Sequence, residues 1–333
     1  MSKLCKVGRG VEMRFDNGAV ELYSDNGILR KRWLKKAGIK KQNVISIRVA
    51  EGKISLPRNS SKYFQDLINL KTLDLRGFDT SNVTNMSGIF ENCYKLTDLD
   101  LSDFNTSNVT DMSGMFERCV SLEDIDLSNF DTSQVTDMYD MFQNCSHLKS
   151  LDLSGFDTSH VTNMNGMFAG CKELTRLDLS SFNTSNVTKM NCMLSNCKSL
   201  KSLDLSRFDT SKVEDIAWMF GGCNGMKDLN LSSFNTTNVK HMEYMFTDCG
   251  VIRSLDLNSF DTKNVEEMHC MFKGCMSLTE LDLANFDISH VKYMCYMFAE
   301  CTNLGQITMR PTTGCDTDTR KMFNGCPAEL IYR

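Results

Sequence analysis

The stretch Leu151-Asp152-Leu153-Ser154-Gly155-Phe156-Asp157-Thr158-Ser159-His160-Val161-Thr162-Asn163-Met164-Asn165-Gly166-Met167-Phe168-Ala169-Gly170-Cys171 decides the reading of this chain, because it is copied along it. Its Leu-Asp-Leu opening returns at Leu73, Leu99, Ile125, Leu177, Leu203, Leu229, Leu255 and Leu281, at a constant spacing of 26 residues with no insertion. A Phe column runs from Phe78 to Phe286 and a Val column from Val83 to Val291. A Met column runs from Met86 to Met294, broken only by Ile216, and a Cys column from Cys93 to Cys301. A fixed period of this length is the mark of a solenoid, in which each unit is too small to bury its apolar face alone and stacks on its neighbours.

Each unit reads as two halves. Leu70-x-x-Leu73-x-Leu75-x-x-Phe78 reads as a short parallel strand entering a turn, and Asp79-Thr80-Ser81-Asn82 supplies turn and N-cap oxygens. Val83, Met86, Ile89, Phe90 and Cys93 then fall at helical spacing on one face. The expectation is an α/β solenoid, a right-handed superhelix with one short strand and one short helix per coil. Ile47-Arg48-Val49 keeps the register one period before Leu73, so a degenerate first coil is expected over 44–69 and nine regular coils over 70–303. Met322-Phe323 and Cys326 arrive one residue early after Pro311, so a shortened closing coil is expected over 304–333. Residues 1–43 lie outside the repeat and read as a basic N-terminal cap on the end of the sheet. They hold two turn signals, Asp16-Asn17-Gly18 and Asp25-Asn26-Gly27, and a helix expected over Ile28 to Ala37.

The chain has 333 residues with 15 Cys, 22 Met and 20 Phe, an excess that is chiefly repeated copies of one inward face. A net charge of −5 argues against a general nucleic-acid binder. Apolar runs are too short for a membrane helix, and the basic start carries no apolar core of a signal peptide, so a cytoplasmic chain is the expectation from the residues alone.

The unit Leu151 to Cys171 resembles the repeat of BspA-like bacterial surface leucine-rich-repeat proteins, over about residues 44–330. The resemblance implies a leucine-rich-repeat solenoid, a non-enzymatic role in adhesion or protein binding, and a place at the cell surface or outside the cell. It implies no catalytic residues and no cofactor.

The columns themselves carry little chemistry. Neighbouring helices are expected ~8–10 Å apart, too far for disulfides within the Cys column, which reads as a ladder of buried thiols. Cys5, Cys192, Cys270, Cys295 and Cys315 lie off that ladder and are the candidate reactive thiols. The Asp of Leu-Asp-Leu faces outward as a solvated ladder, with cation-dependent binding along it as the lesser reading. Glu243, His269 and Cys295 share one column beside Cys270, but the same wide spacing argues against a zinc site. The other His (His147, His160, His241, His290) read as scattered, and no nucleophile–base set can be assembled.

A binding surface is expected where the repeat breaks. Two columns that are bland in the early coils become Glu214/Trp218, Lys240/Tyr244, Glu266/Cys270 and Lys292/Tyr296. The charge alternates between neighbours and the aromatics are of the type that interface hot spots favour, so a protein-partner or self-association patch is expected there on the convex, solvent-facing side. A second candidate is the cap, where Arg30, Lys31, Arg32, Lys35 and Lys36 crowd around Trp33. Residues 1–43 hold eleven Lys/Arg against four Asp/Glu, whereas the remainder holds 26 against 38. That polarity suits an acidic partner, nucleic acid or membrane headgroups, and equally head-to-tail attraction between copies. An intracellular, effector-like binder and a self-assembling structural solenoid are the alternatives.

Overall fold

A computed structural model describes residues 4–311 and 317–332; Cys315 lies outside the described residues. The chain forms two compact units, Met1–His160 and Val161–Arg333.

In the first unit, β1 (Cys5–Lys6) pairs antiparallel with β2 (Gly8–Asp16), and β2 with β3 (Ala19–Leu29). The β2–β3 turn has Asn17 and Gly18 at φ 47° and 88°, the two positive values a type I′ hairpin requires. The second signal does not turn the chain. Asn26, at φ 60°, sits in a bulge of β3 where the register against β4 (Ser46–Ser55) shifts between Asp25 and Gly27. The helix expected from Ile28 is shorter, because Ile28 and Leu29 belong to β3; α1 spans only Trp33–Lys36, with Trp33 buried at 2% exposure. β3 runs parallel to β4, which pairs with β5 (Thr72–Asp74) through Ile47 opposite Leu73, and β6 (Phe78–Asp79) also pairs with β4. β5 then pairs with β7 (Asp98–Asp100), Leu73 opposite Leu99. In the second unit β8 (Ser202–Asp204) pairs parallel with β9 (Asp228–Asn230), and β10 (Glu280–Leu283), β11 (Gln306–Met309) and β12 (Glu329–Tyr332) form a parallel sheet.

The other half of each coil is not helical, which corrects the expectation of one helix per repeat. Its amides divide their bonds alternately. Met86, Gly88, Phe90 and Asn92 donate to the next coil, to the carbonyls of Asp111, Ser113, Met115 and Glu117 at 2.7–3.0 Å. Ile89, Glu91 and Cys93 donate within the coil, to Met86, Gly88 and Phe90, each three residues back. Met242, Tyr244, Phe246 and Asp248 repeat the outward pattern in the second unit. The result is a run of tight turns. Residues 88 and 92 of that run have φ of 57° and 61°, the positive value that position i+2 of a type II turn needs. A helix is about 10 Å wide, whereas parallel strands stack about 4.8 Å apart. Tight turns let both sides of the coil advance by the same small step.

The inward columns close the core. Phe116 stacks on Phe90 and Phe142 at centroid separations of 5.5 and 5.4 Å, and Phe246 on Phe220 and Phe272 at 5.7 and 5.6 Å. The cysteines among the described residues are free. The ladder thiols donate to a carbonyl of the preceding coil, Cys119 Sγ to Phe90 O at 3.2 Å and Cys249 Sγ to Phe220 O at 3.1 Å. A buried Thr column also joins the coils: Thr132 Oγ1 donates to Asp157 O at 2.9 Å and accepts from Asp157 N at 2.8 Å. The outward Asp of the strand accepts from the residue two on, Asp100 from the hydroxyl and amide of Ser102 and Asp204 from the amide of Ser206, and this bonding holds both carboxyls below the ordinary range.

Two outcomes follow. Thr132→Val keeps shape and leaves both Asp157 backbone groups without that partner, so it should destabilise the protein by about 2 kcal/mol in a urea melt, while Thr136→Val on the exposed surface should cost under about 0.5 kcal/mol. Burial raises the ladder thiols, Cys93, Cys145 and Cys223 to about 12 from an ordinary 9.0. The folded state therefore holds protons that the unfolded state releases. Their stabilising contribution is complete below pH 9.0 and is lost progressively as pH rises toward about 12, so the thermal midpoint should fall across that window.

Candidate functional site

The expected charged residues come together. The amides of Lys240, Glu266 and Lys292 donate to the carbonyls of Glu214, Lys240 and Glu266, which sets the four side chains in one row at strand spacing. Lys240 Nζ lies 3.4 Å from Glu214 Oε2, and Lys292 pairs with Glu266, lowering the Glu266 pKa. The row lines a groove of about 690 Å³ together with Lys212, Lys263 and His290. Those three basic residues were not singled out from the sequence, although each replaces a residue of an Asn or Ser column. The ion pairs are exposed, so they set charge pattern more than stability.

The expected aromatics lie elsewhere than on that groove. Trp218, Tyr244 and Tyr296 are half-buried, not fully solvent-facing, and Cys270 of the same column is buried at 6% exposure. Trp218 stacks on Tyr244 at 4.3 Å between centroids. Tyr244 meets His269 edge-on at 5.0 Å, and His269 meets Tyr293 edge-on at 6.5 Å. Tyr293, 47% exposed, extends the run and was missed because helical spacing put it on another face. Tyr296 stands apart, with Lys321 Nζ 5.7 Å from its ring centroid.

All three predicted aromatics occupy the left-handed column, at φ 59°, 57° and 57°, where Gly88, Gly114 and Gly166 stand in other coils. A bulky residue there costs about 1–2 kcal/mol of backbone strain. Trp218→Gly removes that strain together with the ring's packing. It should change stability by less than about 1.5 kcal/mol, against about 3–5 kcal/mol for the core substitution Phe246→Ala, as read by chemical denaturation.

Strand spacing also revises the metal-type residues. Column mates are neighbours, not 8–10 Å apart, and His241, which sequence alone left scattered, is part of a cluster. Ligand atoms of His241, Glu243 and Glu267 all lie within 4.8 Å of one another. His241 Nδ1 is 3.8 Å from Glu243 Oε2, and His269 Nδ1 is 3.5 Å from Glu267 Oε2. Burial raises the Glu243 pKa and lowers that of His269. Glu243 Oε2 and His269 Nδ1 are buried atoms with no hydrogen-bond partner. Cys295 of the same column is half-buried and outside this cluster.

In the first unit, Arg30, Lys31, Arg32, Lys35 and Lys36 are all exposed around the buried Trp33. Lys31 Nζ reaches Ser61 Oγ at 3.3 Å, and Arg32 enters α1 in the left-handed conformation, φ 63°.

Parallel strands on a repeated Leu-x-Leu, closed by stacked turns around a Phe, Met and Cys core, make this a leucine-rich-repeat solenoid protein. More particularly, the chain belongs to the family described as "Mycoplasma protein of unknown function, DUF285", matched over residues 58–152, 148–254 and 225–329, in agreement with the BspA-like resemblance. Among solved structures it is similar to a leucine-rich cell surface protein from Faecalibacterium prausnitzii A2-165, at 15% identity and a TM-score of 0.50, covering 100% of this chain and 95% of that one. It is also similar to the leucine-rich-repeat protein of T. pallidum, at 15% identity and a TM-score of 0.29, covering 72% of this chain and 89% of that one. The first likeness shows the fold. No curated protein matches the chain. Among the described residues no helix is long and apolar enough to cross a membrane.

Proposed function

We propose that this protein is a non-enzymatic protein-interaction module of the cell-surface type, binding its partner through the run Trp218–Tyr244–His269–Tyr293 and the neighbouring charge row. The observation that carries this reading is the placement of Trp218 and Tyr244 on left-handed backbone, where glycine would fold at lower cost. Strain of this kind clusters at binding sites, and here bulky rings bear it at a column where Gly, Asp, Cys and Lys stand in other coils. The stacked pair offers a rigid apolar anchor with polar edges, and the alternating Glu214, Lys240, Glu266 and Lys292 supply a rim that favours one docking register. Surface display follows the BspA-like resemblance, and the cap basic residues Arg30, Lys31, Arg32, Lys35 and Lys36 serve as a secondary contact for an acidic partner.

The test is a pull-down from host-cell surface extract with the whole chain and with Trp218→Ala/Tyr244→Ala, each checked for fold by circular dichroism. The double variant should lose at least about tenfold in affinity for the captured protein. Equal capture by a folded double variant removes the aromatic patch from the reading.

A further inference from the structure

Along the column that holds His241 and Glu267, carboxylates in other coils are satisfied within their own turn. Asp111 accepts the amide of Ser113, Asp137 that of Tyr139 and Asp215 that of Ala217, at 2.8–3.0 Å. Glu267 is one methylene longer and makes no such bond. Across one coil, Glu243 brings a second carboxylate beside it, with Oε2 buried and lacking a hydrogen-bond partner. Among the described residues, these two carboxylates form ion pairs only with imidazoles, Glu243 with His241 and Glu267 with His269. Two half-buried carboxylates this close repel, and an unsatisfied buried oxygen costs about 1–3 kcal/mol.

The geometry points to a divalent transition-metal site in which His241, Glu243 and Glu267 are the ligands and His269 positions Glu267. The mixed nitrogen and oxygen donors are those of zinc, with bonds of about 2.0–2.2 Å. Two ligands of one tetrahedral ion of this kind lie about 3.4 Å apart, so atoms now within 4.8 Å have to close by up to about 1.4 Å, shared between two side chains. A bound cation neutralises the carboxylate pair and gives Glu243 Oε2 a partner. A small rotation of His269 turns its 3.5 Å approach to Glu267 into a hydrogen bond that orients the ligand, the usual support behind a metal-bound carboxylate. Three protein ligands leave a fourth position open to water or to an incoming carboxylate or imidazole. The site shares His269 with the proposed partner run, where it meets Tyr244 edge-on, but its ligands His241, Glu243 and Glu267 lie outside that run.

The experiment is calorimetric titration of the chelator-treated full chain with zinc chloride, followed by cobalt(II) absorption spectra. The expected result is one ion per chain, with affinity lowered roughly tenfold or more by Glu243→Gln, and likewise by Glu267→Gln, and unchanged by Asp111→Asn. The cobalt spectrum should show ligand-field bands without thiolate charge transfer. Absence of saturable binding by the unsubstituted chain, wild-type affinity in both folded Glu variants, or a thiolate charge-transfer band that assigns the ion to cysteine would each overturn the proposal.

Discussion

Every coil in this protein has to hand part of its backbone hydrogen bonding to the next one, and the rest of the structure follows from that requirement. Alternate amides such as Met86, Gly88, Phe90 and Asn92 point along the stack and the intervening ones close turns. Left without a neighbour, a coil would expose half its donors and most of its apolar face, so a single repeat has no stable fold. The same rule puts identical residues in register. Phe rings stack, thiols find carbonyls one coil away, and Thr hydroxyls bond both to an N–H and to a C=O. Nearest-neighbour ladders of this kind need a constant rise, which accounts for the absence of insertions in the repeat.

Much of the architecture was legible in the residues because a strict period is hard to misread. Leu-Asp-Leu marked the strands at Leu73, Leu99, Leu203, Leu229 and Leu281, whereas its copies at Ile125, Leu151, Leu177 and Leu255 form no strand; the pairing of Ile47 with Leu73 and of Leu281 with Ile307 keeps the expected register. The helix was the error, and its cause is specific. Val83, Met86, Ile89, Phe90 and Cys93 recur every three or four residues in consecutive tight turns as they do in a helix. Gly88 and Asn92, four apart and both of a kind that tolerates positive φ, carried the distinguishing information.

The same error hid part of the candidate site. On a helix, His241 and Glu243 would point apart and column mates would be too distant to share an ion. On stacked turns, residues two apart face the same way and neighbouring coils lie within reach, so His241, Glu243 and Glu267 converge. The charges from Glu214 to Lys292 pair between neighbouring coils, an adjacency that holds in either geometry. Lys212, Lys263 and His290 were overlooked because scattered replacements in an Asn or Ser column look like drift until the groove they line is visible.

The left-handed column has one more consequence. Its backbone conformation is imposed by the inter-coil bonds and not by the side chain it carries, so the position has accepted glycine, aspartate, cysteine, tryptophan, tyrosine and lysine without a change of geometry. Each coil thus presents one interchangeable group at a fixed pitch on an invariant frame. Surface character can therefore be exchanged one coil at a time while the interior beneath it is left untouched.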